Sequence, residues 1–143
     1  MNKIHLLIST LLLLAAISAK SQSLQRDSIA GVWICAEAIV PTGFEIPKEE
    51  MEAIPVLKGA IINSKFLFKA NGLFEWQFPK GVPAIFQGMD FLNNQKWSID
   101  VKEDMIHVGD PRENLMQIMV REKAGIIYFM LSDTPLLLRM KKE

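Results

Sequence analysis

One cysteine, one tyrosine and two histidines stand among the 143 residues, and each scarcity removes a class of protein. A single cysteine forms no internal disulfide, so the usual staple of small exported domains is missing and the core must supply the stability. That residue, Cys35, sits in the apolar stretch Val32-Trp33-Ile34-Cys35-Ala36, where a buried structural thiol is expected rather than a reactive one. His107 is the only histidine past the first few residues. It lies between Ile106 and Val108 on the polar side of a short strand, with no second histidine or cysteine pair to complete a metal site.

Charge of one sign is also lacking: sixteen basic residues balance sixteen acidic ones. Without a basic face to neutralise phosphates, nucleic acid is not an expected partner. Glu49, Glu50 and Glu52 open an acidic, helix-compatible segment without an accompanying nucleophile or base, which reads as a solvated face complementing the helix dipole. Asp104, Asp110 and Asp133 occupy turns, where side-chain capping of the backbone accounts for them. No Gly-rich phosphate loop, Gly-x-Ser-x-Gly elbow or calcium loop is present. The sequence therefore predicts no catalytic residues, no metal and no cofactor.

The chain has one sustained apolar run, Ile4 to Ile17, preceded by Lys3 and followed by the small residues Ser18, Ala19 and Ser21. These are the three parts of a signal peptide over 1–21. The run is shorter than the roughly 20 residues of a membrane-spanning helix, so cleavage and export to the periplasm or medium are expected, with no span in the mature chain. Losing Lys3 and Lys20 would leave fourteen basic residues and a nearly neutral product. A lipid anchor is not expected, since Cys35 lies well downstream of the cleavage point.

Residues 22–143 read as one domain of strand after strand. Ile29 to Val40 is the first. Pro41 to Lys58 is a long connection carrying a short helix around Lys48 to Ile54, although capping of the barrel would make its Met51 and Ile54 core residues. Ala60 to Lys69 and Leu73 to Phe78 alternate apolar with polar around Asn71-Gly72, a strong hairpin signal because both residues tolerate positive φ. Pro79 to Asn94 is turn-rich yet holds Val82, Ile85, Phe86, Met89 and Phe91, as expected of a loop folded over a hydrophobic opening. Trp97, Ile99 and Val101 alternate with Lys96, Ser98 and Asp100. Strands at Met105 to Val108, Leu115 to Glu122, Ile126 to Leu131 and Thr134 to Lys141 complete about eight, an antiparallel up-and-down barrel or meander.

Gly31-Val32-Trp33 near the mature start, the Phe66-Leu67-Phe68-Lys69-Ala70-Asn71-Gly72-Leu73-Phe74 hairpin, the Lys96-Trp97-Ser98-Ile99 strand and the terminal Leu136-Leu137-Leu138-Arg139 strand together resemble the small lipocalin-like proteins exported by Bacteroidetes-type bacteria. The resemblance spans residues 22–143. It implies a barrel closed at one end by Trp33, with a basic residue of the last strand, Arg139, packed across it.

Phe66, Phe68, Phe74, Trp76, Phe78 and Trp97 share one face of three neighbouring strands, and Tyr128 is expected to join them from the seventh. An eight-stranded barrel is just wide enough to be filled by side chains or to hold one small ligand. Two functions remain open. One is a non-enzymatic carrier of a small apolar or amphipathic molecule, bound by these seven residues under a Pro79 to Asn94 flap. The other is a filled barrel that meets a protein or the cell envelope, through the Pro41 to Asn63 connection or an exposed apolar loop. A monomer or weak homodimer suits either.

Overall fold

The computed structural model describes residues 24–143; the expected signal peptide over 1–21 lies outside the described residues. Eight strands follow one another: β1 (Gly31–Ile39), β2 (Lys65–Phe68), β3 (Leu73–Gln77), β4 (Gln95–Asp100), β5 (Met105–Val108), β6 (Met116–Lys123), β7 (Ile126–Leu131) and β8 (Leu137–Lys142). Each is antiparallel to the next, and β8 returns to β1, so the sheet closes into the up-and-down barrel that the alternation predicts. Closure matters physically because it removes the unpaired edges through which open sheets aggregate. Three short α-helices, α1 (Arg26–Ile29), α2 (Lys48–Met51) and α3 (Ile54–Ile61), and a 3-10 segment (Ala84–Leu92) complete the described chain. No helix among the described residues is long and apolar enough to cross a membrane.

The period-two pattern sorts side chains into lumen and surface. Phe66, Phe68, Phe74, Ile106, Ile118, Phe129 and Leu138 face inward and are wholly inaccessible to water. One interruption lies in β1, where the register shifts between Cys35 and Glu37 against β8. Ala36 is the extra residue of a bulge, and the inward positions step from Cys35 to Ala38 in consequence.

One end of the barrel is shut by α1. Ile29 is buried there, and its carbonyl accepts the indole N–H of Trp33 at 2.7 Å. The Arg26 guanidinium lies 4.1 Å from the centre of the Trp97 ring, a cation–π contact at the barrel floor. Trp33 is covered by Lys142, whose ammonium sits 5.5 Å from the ring centre and donates to the Ser28 carbonyl at 3.1 Å. The expectation that Arg139 would cover Trp33 is thus corrected. Arg139 points outward and pairs with Glu37 at 3.1 Å, because strand alternation gives the inward side to Leu138 and Met140. Gly31 leaves room for this side chain, since a Cβ there would stand 3.0 Å from the Lys142 Cε, and its φ of +129° is one that other residues rarely adopt.

The other end receives the long connections. Ala60 and Ile61, expected to open β2, instead form the last turn of α3 and are buried, with Ile54 and Leu57 of the same helix packed against the core. Ile54 therefore joins the core, as capping of the barrel by this connection requires, while Met51 is more than half exposed. Ile29, expected in β1, belongs to α1. Val101, expected to continue the alternation of the fourth strand, lies in the following turn and is exposed.

Candidate functional site

The open end is asymmetric because β4 starts late. Its first residues pair only with Leu73 and Phe74 of β3, so Glu75, Trp76 and Gln77 have no strand neighbour on that side. A backbone N–H left unpaired beside the core costs free energy comparable to a lost hydrogen bond. Asn93 removes that cost: its side-chain carbonyl accepts the Trp76 N–H at 2.8 Å. The next residue, Asn94, takes φ of 62°, a left-handed conformation that asparagine tolerates, and its own N–H donates to the Phe74 carbonyl at 2.8 Å. The chain thus enters β4 beside Phe74 and leaves a gap above it.

The segment Ala84–Leu92 lies over this gap. Leu92 is buried and Met89 packs against the core, which anchors the segment, as the apolar content of the Pro79 to Asn94 stretch predicts. Between it and the end of β3 is a cleft of about 390 Å³, lined by Trp76, Phe78, Val82 and Phe86 together with Gln77, Lys80, Gln87, Asp90 and Asn93 among others. Its aromatic wall is continuous: Trp76 and Phe78 stack at 4.6 Å between ring centres, and Phe78 meets Phe86 at 5.5 Å. The Trp76 indole N–H is already occupied, donating at 3.0 Å to Ser64, a fully buried hydroxyl. That bond fixes the ring orientation and leaves its face for packing.

The aromatic stripe is divided by these facts. Phe66, Phe68, Phe74 and Trp97 belong to the core, none more than 2% exposed. Phe66 lies 4.7 Å from Trp76 and 6.3 Å from Phe74, and Phe68 lies 5.2 Å from Phe74 and 5.3 Å from Trp97. Side chains with no water-reachable surface border no space that a ligand could enter, so the lumen at this depth is filled by the rings themselves. Trp76 bridges core and cleft, and Phe78, half-buried beyond the end of β3, belongs to the cleft.

Tyr128 is not inside. It sits on the outer face, opposite Arg121 and Arg139. Its neighbour Phe129 takes the inward place, edge-on to Phe66 at 5.8 Å and to Phe68 at 6.0 Å, and 5.5 Å from Trp33. Strand β7 is apolar on both faces, so alternation alone does not choose between the two residues. Phe86 is the residue that sequence reasoning placed in the flap without assigning it to the site; its spacing from Met89 and Leu92, three residues each, marks the side of the segment that turns toward the barrel.

Among the described residues four titratable groups, Cys35, Glu75, Asp110 and Arg112, show clear electrostatic shifts, and none of them lines the cleft. Burial pushes the Cys35 thiol up to about 11, against a weaker opposing pull from its hydrogen bond to the Glu37 carbonyl. The Lys69 ammonium holds the Glu75 carboxyl below its ordinary range on the outer face, and Arg112 does the same for Asp110 in an exposed turn. Among the described residues no three His, Cys, Asp or Glu side chains are placed to hold a metal ion together. No known protein family, curated protein or solved structure matches the chain.

Proposed function

We propose that the protein is an exported, non-enzymatic, lipocalin-like barrel that binds one small amphipathic molecule in the cleft at its open end. The observation that carries this reading is the Trp76–Phe78–Phe86 wall facing an amide-rich rim that includes Lys80 and Asp90. A volume of about 390 Å³ falls within the roughly 300–1,000 Å³ of small-molecule pockets, which are mostly apolar with a few placed polar groups. The wall suits a flat apolar body, and the rim suits polar substituents at its edge. Export rests on Lys3, the Ile4 to Ile17 run and the small residues after it.

The test is native mass spectrometry of the purified protein against its denatured mass, followed by titration with 8-anilinonaphthalene-1-sulfonate as an amphipathic aromatic probe. A retained mass, or a saturable dye response that Phe86→Ala weakens about tenfold, the equivalent of about 1.4 kcal/mol, supports the cleft. A bare mass together with a dye response unchanged in Phe86→Ala removes it.

A second reading is favoured by one observation. Phe44, Met51, Val56, Ile85 and Phe91 are all more than half exposed, and all lie in the two connections at the open end. Apolar side chains gathered there are what a protein-docking barrel would present. A native mass at a clean multiple of the monomer, or a stable complex, would move the function from the cleft to this rim.

A further inference from the structure

A different chemistry lies on the outside of the wall opposite the cleft. In β5, β6 and β7 the inward positions go to Ile106, Ile118, Val120, Phe129 and Leu131, so the alternate residues face out. The register places Met105 directly opposite Met119, and Met119 directly opposite Met130. Three of the eight methionines of the chain thus form one row across three adjacent strands. Directly opposed residues have Cβ atoms about 4.5–5.5 Å apart. Each sulfur stands two bonds beyond its Cβ on an unbranched, flexible stem, so neighbouring thioethers can lean together around a single ion.

The row floors a groove of about 550 Å³ whose far wall is the Phe44 to Glu50 segment. Glu45, Glu50 and Asp133 line it and no basic residue does, so its field attracts cations. A fourth donor stands beside the row. His107 projects from the same face of β5, two residues from Met105 and diagonal to Met119, and its Nδ1 is buried without a hydrogen-bond partner. Buried nitrogens of this kind are few in native proteins and call for a ligand or a role. Ordinary packing accounts for half-buried methionines under a loop, but not for a lining whose charged residues are all acidic, nor for the partnerless imidazole nitrogen on the adjoining position of β5.

We infer that this outer groove is a binding site for a soft monovalent metal ion, of the Cu(I) class, held by the thioethers of Met105, Met119 and Met130 with the His107 imidazole beside them. Thioether and imidazole donors select soft cations, whereas Mg and Ca require an oxygen shell. The carboxylates serve to draw the ion in. No change of oxidation state is involved: the ion binds and leaves as it came.

Ag(I), which matches Cu(I) in softness and is not oxidised by air, is the probe. It is titrated into the purified protein in chloride-free buffer and followed by native mass spectrometry and by NMR of 13C-labelled methionine methyls. The expected result is one Ag(I) per chain, with the methyl signals of Met105, Met119 and Met130 shifted and those of Met51 and Met89 unmoved. Met119→Leu, a shape-conserving change on a half-buried outer position, weakens binding at least tenfold without altering thermal stability; Met105→Leu and Met130→Leu repeat the test should one variant fold poorly. His107→Gln weakens it at least threefold. Cys35→Ser leaves the stoichiometry intact, since Cys35 is buried in the lumen. Full binding by the leucine variants, or loss of the adduct in Cys35→Ser, overturns the proposal.

Discussion

Replacing Phe66 by alanine tests whether the lumen is a core or a pocket. The ring is wholly buried, and its neighbours are Trp76 at 4.7 Å, Phe129 at 5.8 Å and Phe74 at 6.3 Å. Truncation of a buried phenylalanine costs about 3–5 kcal/mol, the lost transfer free energy plus a contribution from the cavity left behind. Collapse is limited here because the walls are strands held on both sides by ladder hydrogen bonds: Phe66 itself is paired with Trp33 on one side and Trp76 on the other. The expected loss is therefore in the upper half of that range, against a total of about 5–15 kcal/mol for a domain. The melting temperature should fall on the order of 10–20 °C. Urea unfolding gives the free energy directly, with an unchanged slope showing that both end states are preserved. Phe66→Leu, which keeps much of the volume, should recover more than half of the loss. A loss under about 1.5 kcal/mol for the alanine variant would mean that the ring already borders empty space, and would refute the filled lumen.

Two further predictions concern the closed end and the buried thiol. Lys142→Ala should cost about 1 kcal/mol, through the cation–π contact on Trp33 and the bond to the Ser28 carbonyl. Arg139→Ala, whose partner Glu37 is exposed, should change stability by less than about 0.5 kcal/mol; urea denaturation of both variants checks the order, and the reverse order would restore Arg139 to the role that Lys142 holds. Cys35 has its folded pKa raised to about 11 from 9.0, so above pH 9 the unfolded chain releases a proton that the folded one keeps. Stability should fall between pH 9 and 11 by on the order of 2 kcal/mol more in the native protein than in Cys35→Ala, and the difference should vanish below pH 9.

The barrel was legible because period-two alternation and turn chemistry are local signals. Asn71-Gly72 and Ala124-Gly125 lie at hairpin turns, and Ile126 to Leu131 is a strand over the expected span. What failed to show was whatever depended on register or on a change of period. Ala60-Ile61-Ile62 reads equally as strand or helix; Ile54, Leu57 and Ile61 keep helical spacing, and Pro55 at the helix start is the signal that decides for α3. Phe129 displaces Tyr128 because β7 is apolar on both faces. Arg139 gives way to Lys142 because the bulge at Ala36 and the alternation of β8 set which basic side chain reaches Trp33. The cleft depends on the late start of β4, and the methionine row on pairing across three strands. Neither exists in one dimension.

The three tryptophans offer the most direct test of the binding cleft. Trp33 and Trp97 donate their indole N–H groups at the closed end, to the Ile29 and Lys69 carbonyls, while Trp76 borders the cleft. In a 15N-resolved NMR titration with 8-anilinonaphthalene-1-sulfonate, the Trp76 indole signal should move progressively to saturation while those of Trp33 and Trp97 stay in place. Equal movement of all three would put the ligand in the lumen, and a stationary Trp76 signal under saturating dye would contradict binding in the cleft.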